Sequence, residues 1–190
     1  MAVRIGSGGM RGRAIETPTG RGTRPLLARI KKSLFDMLRP RMPGARVLDV
    51  FAGSGSFGIE ALSQGAASSL LVESDRNAVR LIAKSAARLG ITDRTTVVCD
   101  DGLLAMRNLA DGRNTFEIIF LDPPFALSQD AGLLEAAGIL LDPDGIAVIR
   151  VPAKRALPAT AGTLALAREK VYGISRVGFY SRVLPEGTDT

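Results

Sequence analysis

There is no histidine anywhere in the 190 residues. Its absence removes the commonest general base, the Ser-His and Cys-His dyads, and most zinc sites. Any chemistry must then use carboxylates, backbone groups, lysines or a cofactor. There is a single cysteine, Cys99, so no internal disulfide can form, which fits a reducing cytoplasm. Cys99 lies in an apolar run and is expected to be a small buried hydrophobe. No apolar run approaches the roughly 18 residues needed to span a bilayer. The opening MAVRIGSGGMRGR has no apolar stretch of the secretory kind; it is Arg-rich and acid-poor like a transit peptide, but its glycines argue against an amphipathic helix. Internal repeats and low-complexity tracts are also missing.

Acids are scarce at one end of the chain. Residues 1–46 carry eleven Lys/Arg against Glu16 and Asp36, a net of +9, while residues 47–190 carry fourteen against seventeen, a net of −3. A basic arm on a mildly acidic body points to a polyanionic partner. Nucleic acid leads, ahead of an anionic membrane surface and of solubility alone. With 46% apolar residues the chain should fold, and its length suits one sizeable core.

Residues 1–25 are rich in Gly, Arg, Thr and Pro, with a short strand expected near 3–5. Leu27, Ile30, Leu34, Met37 and Leu38 recur at helical spacing, with Arg29, Lys31 and Lys32 on the other face; Pro40 and Pro43 end that helix. Strand and helix then alternate: strands over 46–51, 69–72, 95–99, 116–121 and 145–151, and helices over 56–64, 76–89, 102–109 and 130–140. Segments 165–172 and 176–183 read as a hairpin joined through Gly173. This pattern predicts an α/β fold: a basic extension over 1–45, then over 46–190 a mostly parallel seven-stranded sheet, covered on both faces, with a C-terminal antiparallel hairpin.

The segment Asp49–Gly58, DVFAGSGSFG, contains G-x-G-x-x-G at Gly53, Gly55 and Gly58, and Glu73 follows about twenty positions later. Alone, this fits a nicotinamide dehydrogenase. Four expected strands, however, end in acids: Asp49, Glu73, Asp100/Asp101 and Asp122. Adjacent strands lie about 4.8 Å apart, so these acids would ring one pocket beyond the carboxyl ends of the strands, where ligands of such sheets sit. A pyrophosphate is disfavoured there. A sulfonium, an ammonium group and a ribose diol fit better, which points to S-adenosylmethionine. Asp49 would pair with the ammonium. The turn Phe51, Ala52, Gly53, Ser54 and Gly55 would let the backbone approach, and Glu73, followed by Ser74, would take the ribose hydroxyls. Asp100 or Asp101 would accept from the adenine amine. The alternative for each acid is a helix N-cap.

Asp122-Pro123-Pro124-Phe125 is the second signal. The prolines hold the backbone extended and free the preceding carbonyls. An exocyclic amine could donate to the Asp122 carboxylate and the Pro123 carbonyl, which directs the nitrogen lone pair, while the base stacks on Phe125 for roughly 1–3 kcal/mol. Proximity supplies most of the remainder, and no metal is needed. The alternative is a structural Pro-Pro turn with a core Phe.

With these motifs in place the chain resembles the RsmD family of bacterial 16S rRNA guanine-N2 methyltransferases over nearly its whole length. The similarity runs through Arg4, Arg11-Gly12-Arg13, Pro18-x-Gly20, Thr23-Arg24-Pro25, Ser33-Leu34-Phe35, VLDVFAGSGSFGIEALSQGA, VESD, FLDPPF and Lys170-x-Tyr172-Gly173. Leu26-Leu27-Ala28, Asp36 and Ser85 depart from the family pattern. The resemblance implies a class I S-adenosylmethionine-dependent methyltransferase (Rossmann-like), acting as a cytoplasmic monomer on 16S rRNA or a small-subunit assembly particle. Arg11, Arg13, Arg24 and Arg29 would grip the RNA. The rival readings are a DNA adenine-N6 methyltransferase, a dehydrogenase, and a non-catalytic RNA-binding assembly factor on the same fold.

Overall fold

Short runs of branched and aromatic residues form the centre of the protein. In the computed structural model, which describes residues 2–17 and 25–183, they build one eight-stranded sheet and a separate two-stranded ribbon. The ribbon pairs β1 (Ala2–Arg4) with β2 (Ala14–Glu16), antiparallel, and is followed by α1 (Pro25–Leu38). Then come β3 (Arg46–Val50), α2 (Ser56–Ser63), β4 (Ser68–Glu73), α3 (Arg76–Leu89), β5 (Thr95–Cys99), α4 (Gly102–Asp111), β6 (Phe116–Leu121) and α5 (Asp130–Leu140). The chain closes with β7 (Leu141–Pro152), β8 (Thr160–Ala161), β9 (Leu164–Tyr172) and β10 (Ser175–Arg182). The sheet order is β5-β4-β3-β6-β7-β10-β9-β8. β3 to β7 are mutually parallel, whereas β10 runs antiparallel to both β7 and β9.

The expected seven strands become eight through β8, which pairs only two residues with β9 and is too short to show an alternation. β7 starts four residues earlier than expected: Phe116 pairs with Leu141, and after a register shift Ile118 pairs with Ile146, so the Asp142–Gly145 stretch bulges out of a continuous strand. Cys99 is exposed, not buried. Its strand, β5, is the sheet edge, and the neighbouring Val97 and Val98 are themselves only half-buried.

Helices cover both faces, as βαβ crossovers require. One apolar layer joins Ile30, Leu34 and Phe35 of α1 to Ile59 and Leu62 of α2 and Phe120 of β6. Within it the Phe57 and Phe120 ring centroids are 5.2 Å apart, and those of Phe35 and Phe120 5.7 Å. Val3, Ile5, Met10 and Ile15 of the N-terminal arm enter this same layer. The other layer packs α4 and α5 through Met106, Leu133, Leu134 and Leu140. Side-chain and backbone caps fix the helix ends: Asp75 accepts the Asn77 N–H, and Gly90 closes α3 in the left-handed region at φ 72°. No helix among the described residues is long and apolar enough to cross a membrane.

Candidate active site

The chain runs outward from β3 through β4 to β5 and then returns to place β6 on the other side of β3. The strand order therefore reverses between β3 and β6, which opens a crevice at their carboxyl ends. Asp49 stands in β3, Glu73 ends β4, and Asp122 follows β6. The topology thus converges three of the sequence-predicted acids.

The glycine turn lies on the β3 side. Phe51 has φ 64°, in the left-handed region that a bulky residue seldom adopts, and Gly53 and Gly55 follow at 58° and 72°. Asp49 is 1% exposed beneath this turn. Its Oδ2 accepts the Gly58 N–H at 2.9 Å, while Oδ1 is buried and accepts no hydrogen bond from any described residue. A Cβ on Gly58 would stand 2.5 Å from Ser69 Oγ and 3.0 Å from the Leu71 side chain, so any larger residue there would push these β4 side chains aside. Burial pushes the Asp49 carboxyl up to about 7; the Gly58 N–H opposes this, and the negative charges of Asp122 and Glu73 add to it. Glu73, itself buried, ties the turn to β4: Oε2 accepts the Gly53 N–H at 2.7 Å and Oε1 the Asp75 N–H at 2.9 Å.

Asp122 begins the second wall. Its backbone N–H donates to the Val50 carbonyl at 3.3 Å, so the two motifs are joined directly. Arg150, on β7, donates from Nε to Asp122 Oδ1 at 2.6 Å, and its guanidinium carbon lies 4.7 Å from the Phe125 ring centroid. Burial raises the Asp122 carboxyl, and the Arg150 charge and hydrogen bond only partly offset that. Pro123 is buried, Pro124 exposed and Phe125 half-buried. Arg155 holds the following loop by donating to the Leu127 carbonyl at 2.6 Å and the Phe125 carbonyl at 2.9 Å.

Both walls face one cavity of about 1060 Å³. Phe51, Ala52, Gly53, Ser54, Glu73 and Ser74 line one side, and Asp122, Pro123, Pro124, Phe125 and Arg150 the other. Arg11 and Lys31 reach it from the arm and from α1. Asp49 and Gly55 are not among its lining residues and lie buried beneath the turn.

Not every expected residue reaches this cavity. Asp100 and Asp101 are absent from its lining; Asp101 instead caps α4, accepting the Leu103 and Leu104 N–H groups. Arg13 also stands apart, donating to the Arg88 and Leu89 carbonyls at the C-terminus of α3, a favourable place for a cation. Arg29 is exposed on α1 and outside the lining. Arg24, with Pro18, Gly20 and Thr23, lies outside the described residues.

Sequence reasoning missed two groups. Arg150 was signalled only by one charge inside the apolar run IAVIRV. Glu60 had no signal of its own within the helix expected over 56–64, yet its side chain is 2% exposed and ion-paired with Lys31 at 2.9 Å. Its carboxylate also accepts the Gly6 and Ser7 N–H groups, at 2.9 and 2.8 Å. Ser85, one of the departures from the family pattern, is fully buried and accepts the Glu16 N–H at 3.1 Å, anchoring β2 to α3.

This arrangement has close relatives. The family described as "Conserved hypothetical protein 95" matches residues 3–181. Ribosomal RNA small subunit methyltransferase D of Escherichia coli is 36% identical over 183 residues, covering 95% of this chain and 90% of that one. The chain belongs to the RsmD family. A solved structure of a hypothetical protein from Thermus thermophilus shares 34% identity with this RsmD-family chain. It superposes with a TM-score of 0.81 over 95% of this chain and 99% of the other. A SAM-dependent methyltransferase from Agrobacterium tumefaciens, at 16% identity and TM-score 0.69 over 88% of this chain and 66% of that one, shares the fold. The fold is the class I, Rossmann-like methyltransferase architecture.

Proposed function

We propose that this chain methylates the exocyclic N2 amine of one guanine in 16S rRNA, with S-adenosylmethionine as the methyl donor. The observation that carries this reading is the joining of two motifs across one crevice. A buried carboxylate, one oxygen of which has no partner among the described residues, sits beneath a glycine turn, and Asp122-Pro-Pro-Phe stands at the neighbouring strand end. The Escherichia coli relative is named for small-subunit rRNA methylation, which supports the RNA substrate.

The residues fit the donor. Asp49 Oδ1 is buried without a hydrogen-bond partner among the described residues, and the negative charges of Asp122 and Glu73 add to the cost of ionising it. A cation relieves that cost, whereas the pyrophosphate of a dinucleotide would add to it, which disfavours the dehydrogenase reading. Asp49 holds the ammonium, the positive-φ turn admits the backbone, and Glu73 retains lone pairs for ribose hydroxyls. When bound, the cofactor supplies an electrophilic methyl group on sulfur.

The chain's own residues do the rest. The Asp122 carboxylate and the Pro123 carbonyl accept the two amine hydrogens, so that the nitrogen lone pair points away from them. Phe125 stacks the base. The raised carboxyl of Asp122 suits it to accept the proton that the amine must release. The basic extension over 1–45 holds the RNA backbone, through Arg11, which lines the cavity, and through Arg29, exposed on α1. The enzyme acts as a monomer in the cytoplasm, on rRNA or an assembly particle.

The test is transfer of a labelled methyl group to small-subunit particles and to duplex DNA, followed by nucleoside analysis. N2-methylguanosine in 16S rRNA is expected. N6-methyladenine in DNA, or tight RNA binding with no transfer, would replace the proposal with one of its rivals.

A further inference from the structure

Arg150 is a charge in the middle of a buried strand, and its side chain is only 17% exposed. It makes three contacts: Nε donates to Asp122 Oδ1 at 2.6 Å, Nη1 donates to Ser175 Oγ at 3.3 Å, and the guanidinium carbon lies 4.7 Å over Phe125. The first and third are the contacts assigned above to the acceptor base. In each case a planar nitrogen group donates N–H to Asp122 and lies over the Phe125 ring.

We infer that Arg150 fills the seat of the acceptor base in the free enzyme and is displaced when the base enters. The identity of that base rests on the proposed function; the occupation of the seat does not. The chemistry of the two occupants is alike. The N1–C2–N2 edge of guanine is itself a guanidine fragment, planar, with N–H donors on adjacent nitrogens. The amine of adenine is flanked instead by ring nitrogens that only accept. A seat that satisfies a guanidinium is therefore matched to guanine's edge. The arrangement also has a physical reason in the free protein. Asp122 is largely buried, and an ionised carboxylate there without a partner would be costly. Arg150 supplies the partner until the substrate arrives.

Displacement makes the substrate compete with an internal group. Apparent affinity falls by the fraction of molecules whose seat is open. Arg150→Met should therefore lower the KM for RNA, by about tenfold if the open form is about a tenth of the population. In Arg150→Ala, methylguanidinium at millimolar concentration should refill the seat, raising the Tm and inhibiting competitively against RNA, with neither effect on the wild type. Arg150→Gln, which keeps an N–H for Asp122 without the guanidinium plane, serves the same comparisons if the smaller variants do not fold. A KM that stays the same or rises, or an Arg150→Ala protein indifferent to methylguanidinium, overturns the inference. The Tm measurement needs no RNA. A methylguanidinium effect in a protein whose wild type methylates no guanine supports the seat and removes the proposed function. Methyl transfer by the wild type without these two effects removes the seat alone.

Discussion

Glu60 holds the N-terminal arm to the helix that follows the glycine turn, and removing it should reveal how much the arm depends on one carboxylate. Its side chain is 2% exposed and pairs with Lys31, 12% exposed, at 2.9 Å. The same carboxylate accepts the Gly6 N–H at 2.9 and 3.1 Å, the Ser7 N–H at 2.8 Å and the Ser7 hydroxyl at 3.0 Å. Glu60→Ala leaves a largely buried ammonium and two backbone donors without this acceptor. Breaking such a pair from one side costs about 3–5 kcal/mol, which in a chain of this size lowers Tm by roughly 6–20 °C. Replacing Lys31 by Met in the same molecule removes the stranded charge, so the double variant should be more stable than Glu60→Ala alone, with a coupling above about 1 kcal/mol. The pH dependence has a defined sign. Burial works to raise the Glu60 carboxyl, but the Lys31 charge and the Gly6 and Ser7 donors outweigh it, and the net shift is downward from 4.5. A depressed carboxyl stabilises the fold above its unfolded value and loses that contribution as pH falls through the folded one. The gap between wild type and Glu60→Gln should thus be full near neutrality and close below about pH 4.5. Chemical denaturation across pH measures the gap, and hydrogen exchange at Gly6 and Ser7 reports release of the arm. A loss under about 1 kcal/mol, or strict additivity with Lys31→Met, would refute the reasoning.

Three further outcomes are expected. Asp49 is raised from 3.8 to about 7, so the fold disfavours its ionised form: the cost is absent below about pH 4 and grows to roughly 4 kcal/mol above pH 7. Asp49→Asn should then stabilise the ligand-free protein at pH 8 but not at pH 4, while weakening S-adenosylmethionine; equal Tm changes at both pH values would contradict this. Gly102→Ala would place a Cβ 2.6 Å from the Phe51 ring, and should raise the cofactor Kd by displacing that ring, as calorimetry would show. Asp122→Ala should lower kcat for methyl transfer by about a hundredfold or more with cofactor binding retained, and full activity in the variant would disprove its role.

Much of the fold was legible in residue order because local forces wrote it there. The run FEIIFL reads as β6, and the bounds of α3 emerge from its period and from Gly90 at its end. The 5-4-3-6 strand order left no local trace, because neighbours across a sheet are chosen by the handedness of crossovers and by the burial of helix faces. β8 was missed because two paired residues carry no period. Cys99 was misjudged because an apolar neighbourhood says nothing about standing on the edge strand. The site divides in the same way. Asp49, Glu73 and Asp122 could be read as strand-end acids, and the glycines as a turn. That Asp101 caps a helix while Asp122 faces the cavity depends on which strand stands beside which.

By itself the sequence determined the chemistry available: no histidine, a glycine turn behind an aspartate, an Asp-Pro-Pro-Phe corner and a basic arm. These are local properties of residue type and spacing. Only the tertiary structure decided which groups meet. It tied the arm to Glu60, set Arg150 against Asp122 and Phe125, and buried Asp49 with one oxygen unpartnered among the described residues. The first two depend on contacts between residues 25 to 54 positions apart, which form only when the sheet closes and water is excluded from its carboxyl-end crevice.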